Sequence, residues 1–181
     1  MPYSYPDPPL ADDMVMLRPW SVADVIDAVR SLNDPGIQRF LPAIPIPYTE
    51  RDARDFITGA PAALHHGQLR LVGAEPATGR LMGAIGLRLL EPGIAQTGYW
   101  ISPADRRRGL ATRMLRLLSR WALAELPLDR VQLVTDPENE PSMNVAERAG
   151  FVREGVLRQW YDLHGERRDG VMFSLLATDV A

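Results

Sequence analysis

Apolar residues along the chain follow two periods, and the switches between them mark out the elements. Residues 14–17 form a short apolar run that predicts a strand. Ser21 stands ahead of Val25, Ile26, Ala28, Val29 and Leu32, with Asp24 three positions after the serine. That pairing opens a helix by reciprocal capping. Pro35, Pro42, Pro45 and Pro47 break the next stretch into turns and short helical pieces. Thr49 with Asp52 repeats the capping pattern and predicts a helix reaching His65.

Strand signals dominate from residue 69. Residues 69–75, 81–90 and 94–101 read as strands, and the turns at 76–79 and 91–93 are short enough to make them an antiparallel meander. A helix of about five turns is predicted over 107–126, where Leu110, Met114, Leu117, Leu118 and Trp121 share one face. The β-branched run 131–135 is a further strand. Residues 140–149 form a short helix that Gly150 ends. Residues 151–161 and 170–176 pair as a closing hairpin around a 164–168 loop. A helix joins 94–101 to 131–135, so that step is parallel. The expected fold class is α+β, a mixed and mostly antiparallel sheet of about seven strands flanked by helices. It occupies one domain over residues 14–181, preceded by a proline-rich extended arm over 1–13.

Composition narrows the chemistry. The 181 residues suit a single domain with a substantial core. No apolar run approaches the ~20 residues of a membrane span, and the start of the chain lacks the basic and apolar regions of a secretory signal. A cytoplasmic protein without a membrane partner is expected. The absence of cysteine excludes disulfides and a thiol nucleophile. The three histidines do not form an HExxH pattern, so no metal is expected. All 20 basic residues are arginine, which excludes Schiff-base chemistry and a Walker-type lysine. A net charge of −3 argues against general nucleic-acid binding.

The sharpest signal is Arg106-Arg107-Arg108-Gly109-Leu110-Ala111, set between a strand and the long helix. A helix start offers unpaired N–H groups and a positive dipole end to an anion such as a pyrophosphate. Gly109 permits close backbone approach, and three arginines add positive charge at the rim. Alternatively, the loop is a solvated basic face with a glycine that merely starts a helix.

This loop resembles that of the GNAT N-acetyltransferase superfamily, Arg/Gln-x-x-Gly-x-Gly/Ala, through Arg106, Gly109 and Ala111. The surrounding segments are similar to its RimJ/RimL-like branch: Gly98-Tyr99-Trp100-Ile101-Ser102-Pro103, then Asn139-Glu140-Pro141-Ser142 with Ala146-Glu147-Arg148-Ala149-Gly150-Phe151, and finally residues 168–176. The resemblance implies a sheet splayed at the cofactor site and acetyl-CoA as co-substrate. It implies contacts from Trp100, Ile101, Ser102, Arg106, Arg107, Arg108, Gly109, Leu110, Ala111, Thr112, Asn139 and Ser142, with the pantetheine arm along the backbone edge near Trp100–Ser102. Asn139 equally reads as a helix N-cap.

Ser142 is the implied partner of the leaving sulfur; the tyrosine of many other members falls at Ala146 and is absent. With no cysteine, an acetyl-cysteine intermediate cannot form, and direct attack by the amine in a ternary complex is the simplest mechanism. A base is less legible. Gln96 and Tyr161 stand where relatives carry glutamates; Glu91, Glu154 and Asp169 are other carboxylates, each more often a solvated or structural charge, and a water chain to a distant carboxylate is an equal alternative. Phe40, Tyr48, Gln96 and Trp160 are candidates for the acceptor site. The acceptor is a protein N-terminus or a small amine such as an antibiotic, and a homodimer is compatible with the sequence. A binding module that keeps acetyl-CoA but not catalysis is the competing reading.

Overall fold

A computed structural model describes residues 4–42 and 44–180. The first three residues of the expected arm, Ala43 and Ala181 lie outside it. Eight strands form one sheet in the order β1-β2-β3-β4-β5-β6-β8-β7. They are β1 (Leu10–Ala11), β2 (Met16–Pro19), β3 (Gln68–Ala74), β4 (Leu81–Glu91), β5 (Gly93–Ile101), β6 (Leu128–Thr135), β7 (Val152–Leu163) and β8 (Glu166–Leu176). Every neighbouring pair is antiparallel except β5 and β6. The strand beyond the expected seven is β1, which pairs Leu10 with Leu17 and Ala11 with Met16. Arg113 also ties Asp12 and Asp13 to the long helix.

Helices α1 (Val25–Leu32), α2 (Pro35–Gln38) and α3 (Glu50–Thr58) gather around a small apolar cluster that includes Leu32, Ile37, Tyr48 and Ile57. Both capping boxes form as the spacing predicts, Ser21 with Asp24 and Thr49 with Asp52. The helix expected to continue to His65 instead breaks at Gly59 and restarts as α4 (Ala60–His65). Pro61 has no N–H to continue the ladder.

The main core lies between the sheet and the helices α5 (Leu110–Glu125) and α6 (Glu140–Ala149). Leu110, Met114 and Leu118 of the expected stripe are buried there, together with Leu115 and Ala122; Leu117 and Trp121 flank it half-buried. Helix α5 begins three residues later than its pattern predicts because Arg107 and Gly109 have φ of 62° and 76°, outside helical space. The last hairpin is longer than expected. Residues 166–168 are strand, and the turn is His164–Gly165, both left-handed as a two-residue turn requires. A short α7 (Ala177–Val180) follows β8.

Within α5 the buried Ser119 hydroxyl has no hydrogen-bond partner among the described residues. An unsatisfied buried hydroxyl is costly, so Ser119→Ala is expected to raise stability by ~1 kcal/mol. Chemical denaturation checks this. A loss of stability would mean that a buried water pairs with the hydroxyl in solution.

Candidate functional site: a splayed strand pair beside an arginine-rich loop

Strands β5 and β6 pair from Gly93↔Leu128 to Gln96↔Gln132 and then separate, although β5 runs on to Ile101 and β6 to Thr135. The wedge between them is where sequence resemblance expects the sheet to splay. The N–H of Ser102 donates to the carbonyl of Met82 at 2.8 Å. Backbone groups alternate in direction along a strand, so Trp100 and Ser102 face β4. The open backbone groups are therefore those of Tyr99 and Ile101. They form a strand edge to which an extended, amide-bearing chain can add by backbone hydrogen bonding.

At the head of the wedge sits the loop 106–109. Gly109 is the left-handed N-cap of α5, and the first-turn N–H groups after it lack intrahelical acceptors. Leu110 itself is buried in the core, so only its backbone is available to a ligand. The three arginines differ. Arg106 pairs with Asp34, the N-cap of α2, and Arg108 pairs with Asp105 at 2.7 Å. Asp105, which also takes two bonds from Arg80 at 2.9 Å each, is held below the usual carboxylate range by Arg80 first and then Arg108. Only Arg107 of the three makes no ion pair among the described residues. The expected rim of three uncommitted charges is thus reduced to one. Arg116, Arg120 and Arg148 compensate, lining a second depression beside Gly109 and Thr112. Sequence reasoning missed these; the i, i+4 spacing of Arg116 and Arg120 on the exposed face of α5 was the available signal.

Across the wedge, α6 begins with Asn139, whose side chain accepts from the Ser142 N–H at 3.2 Å as an N-cap. The Ser142 hydroxyl lies 2.9 Å from the Tyr99 hydroxyl. Burial pushes the Tyr99 phenol up to about 12, so it stays protonated and can donate to Ser142 Oγ. Sequence reasoning missed Tyr99 as the partner of Ser142. Its position every second residue from Ala95 and Thr97, pointing into the core side, is the signal. Ala146, where other members carry tyrosine, is fully buried in the main core.

Tyr161 is not a base in this arrangement. Its hydroxyl donates to Asp136 Oδ2 at 3.1 Å, and burial, then the Asp136 charge, push its pKa well above the ordinary phenol value. Asp136, at the end of β6 and 2% exposed, also accepts from Arg168 Nε at 3.2 Å and from the Glu138 N–H at 2.8 Å. Burial would raise its pKa, but these donors outweigh it and hold it down.

Glu154 lies outside the cleft. Arg130, bound bidentately at 2.7 and 2.6 Å, then Ser174, lower its pKa to about 2. The ion pair therefore stabilises the fold fully above the ordinary glutamate value near ~4.3, and this is lost as pH falls toward 2. Glu154→Gln is expected to lower Tm at pH 7, with the gap to the parent closing below about pH 4. A constant gap would show that the pair is screened out in solution. Asp169 accepts from the Gln159 N–H at 2.8 Å in the last hairpin, and Glu91 is exposed at the end of β4.

A continuous cleft of about 1710 Å³ runs through the wedge to the helices α1–α3. It is lined by every residue designated for the cofactor, the acceptor or catalysis except Ser102 and Arg108, while the candidate carboxylates Glu91, Glu154 and Asp169 do not line it. The loop, wedge and Ser142 form one half. Phe40, Tyr48, Gln96, Trp160 and Tyr161 belong to the other. Tyr48 is 6% exposed and is mostly core, whereas Trp160 is 47% exposed. The β7–β8 hairpin is drawn over this half by His164, whose Nε2 lies 2.7 Å from the Gln38 carbonyl, and by Glu138, which bridges Arg39 and Arg168 at 2.9 and 3.1 Å. Among the described residues no cluster of His, Asp and Glu could hold a metal, and no helix is long and apolar enough to cross a membrane.

Residues 15–152 match the acetyltransferase (GNAT) domain. The chain is 34% identical over 103 residues to "Probable N-acetyltransferase YjcK" of Bacillus subtilis, a match that covers 55% of this chain and only 57% of that relative. It is 26% identical over 175 residues to "Uncharacterized N-acetyltransferase p20" of Bacillus licheniformis, covering 95% and 98% of the two chains. RimJ of Mycobacterium smegmatis, solved with a CoA-disulfide, has the same fold with a TM-score of 0.82 at 23% identity, over 92% of this chain and 83% of that one. With a domain match over most of its length and a wedge, loop and sheet order to go with it, the chain belongs to the GNAT acetyltransferase family.

Proposed function

We propose that this protein is an acetyl-CoA-dependent N-acetyltransferase of the RimJ/RimL-like kind, in which a free amine attacks the acyl donor directly. The observation that carries this reading is the unpaired end of β5 lying between the left-handed, arginine-bearing loop and the Ser142 hydroxyl. The loop 106–109, the first turn of α5 and the flanking Arg116, Arg120 and Arg148 would hold the phosphates of coenzyme A. The N–H and C=O groups of Tyr99 and Ile101 would pair with the amides of its pantetheine arm. One fixed N–H at this edge would also stabilise charge growing on the thioester oxygen. RimJ, crystallised with a coenzyme A derivative, supports the donor site.

In the reaction the amine nitrogen bonds to the acetyl carbon, the C–S bond breaks and the sulfur leaves with the electron pair. Ser142, supported by Tyr99, donates a hydrogen bond to that sulfur. The amine proton passes to water in the open cleft. Tyr161 and Glu154 are unsuited to take it, which favours an acceptor of low intrinsic pKa, such as an α-amine at ~7.7–8.0 rather than a side-chain amine at ~10.4. Residues 14–181 would act as one catalytic unit in the cytoplasm, to which Leu10–Ala11 of the expected arm add the edge strand β1. The acceptor would be a peptide or protein N-terminus or a small amine.

Incubation with acetyl-CoA and a panel of amines should release free coenzyme A above the buffer rate, fastest for α-amines. Tight acetyl-CoA binding with no release across peptides and small amines would make the protein an acetyl-CoA-binding module instead.

A further inference from the structure

The acceptor half of the cleft has a floor made by one face of β3, β4 and β5, and its rows differ sharply. In one row Val72, Ala84 and Trp100 stand opposite one another; in another, Gln68, Arg88 and Gln96. Between them runs a row of Arg70, Gly86 and Gly98. Two glycines leave the sheet bare there. A Cβ at Gly98 would meet nothing within 4 Å, and one at Gly86 would touch only the Leu69 carbonyl, at 3.1 Å. The row is therefore an open trough that starts at the wedge and ends at a guanidinium.

Arg70 is held ready at that end. Its guanidinium lies 4.3 Å from the Phe56 ring centroid, with bonds to the Phe56 carbonyl at 3.2 Å and to Gln68 Oε1 at 3.0 Å. These leave other donors of the fork uncommitted. Phe56 in turn packs edge-on against Trp20 at 5.6 Å, and Trp20 lies 6.5 Å from Trp100, so aromatic rings wall the trough. Arg88 is the diagonal neighbour of Arg70 on the same face. Neither arginine makes an ion pair among the described residues. The carboxylates on the overlying helix α3 are engaged elsewhere, Glu50 with Arg54 at 3.5 Å, Asp52 in the Thr49 cap and Asp55 with Arg51 at 3.8 Å. Partial burial already lowers the Arg70 pKa, the mark of a cation short of a counter-charge.

We propose that Arg70, assisted by Arg88, recognises a carboxylate on the acceptor, placed about two interstrand spacings, ~10 Å, from the amine that is acetylated. This rests on the acetyltransferase reading above and specifies its substrate class: an extended α-amine whose chain lies in the glycine trough and ends, or carries an acidic side chain, at the arginines. A tripeptide spans this length, at ~3.3 Å per residue. A polyamine is disfavoured, since its second cation would meet Arg70.

The test compares alanyl-alanyl-phenylalanine with its C-terminal amide, a tetrapeptide amide carrying aspartate at its third position, and spermidine. Turnover is followed by thiol release, and binding of the N-acetylated peptides by calorimetry in the presence of coenzyme A. The free acid should show a KM and a Kd about tenfold lower than the amide. The aspartyl peptide tells a side-chain source from a chain terminus. Arg70→Gln should bring acid and amide within about twofold of each other; should that variant not fold, Arg88→Gln reports the same ratio. Gly98→Val, which fills the trough without touching the fold, should weaken both peptides. Equal behaviour of acid and amide in the parent protein, or a preference that survives Arg70→Gln, overturns the proposal. If no peptide is acetylated yet the acid still binds better through Arg70, the acetyltransferase reading fails and the carboxylate site stands.

Discussion

Gly109→Val should raise the Kd for acetyl-CoA by roughly ten- to a hundred-fold while leaving the protein folded. The reason is conformational before it is steric. A Cβ at Gly109 meets nothing within 4 Å, so valine clashes with no part of the protein. But φ there is +76°, where a β-branched residue costs ~1–3 kcal/mol. The loop would relieve that strain by rotating, and in doing so turn the first N–H groups of α5 away from the phosphates. Gly109→Asn separates the two causes, because asparagine tolerates the left-handed region. Retained affinity in the asparagine variant assigns the effect to backbone conformation; an equal loss assigns it to bulk against the ligand. Titration of acetyl-CoA into the three proteins decides this, and unchanged affinity in the valine variant would show that the anchor lies elsewhere, at Arg116, Arg120 and Arg148.

Ser142→Ala is expected to lower turnover by roughly ten- to a hundred-fold, the order of ~1.4–3 kcal/mol for a hydrogen bond to a developing charge. Acetyl-CoA affinity should change much less, because the interaction strengthens only as thiolate character grows. The fold should tolerate the change, alanine being a good helix former. The pairing with Tyr99 at 2.9 Å adds a second expectation. Tyr99→Phe should cost about three- to tenfold by removing the donor that orients the serine, and in the double variant the losses should not add. Additive losses would mean that the two hydroxyls act separately. Unchanged turnover in Ser142→Ala would leave water as the sulfur's proton donor.

The loop and most elements were legible because they rest on local chemistry, whereas the wedge was expected only from the family resemblance. Capping at Ser21 and Thr49, the stripe of α5 and the left-handed glycines at 109 and 150 are each decided within a few residues. Misread boundaries had local causes too. Pro61 broke the helix expected to reach His65, and the positive φ of Arg107 delayed α5. Site chemistry was less legible. Tyr161 in isolation is a phenol aligned with a base; only the approach of Asp136, 25 residues earlier, makes it a committed donor.

From its sequence alone, this protein's α+β class, the arginine- and glycine-bearing loop at Arg106–Gly109 ahead of the long helix, and its family were determined, since periodicity, glycine placement and short motifs are properties of contiguous residues. Which charges are available was decided by the tertiary structure. Asp34 comes from a separate segment to engage Arg106, and Arg80 comes from another to share Asp105 with Arg108, whereas Arg70 is left facing a trough that exists only because Gly86 and Gly98 come into register on neighbouring strands. Pairing of charges and emptiness of a cleft depend on distances between residues far apart along the chain, and those distances exist only once the sheet has formed.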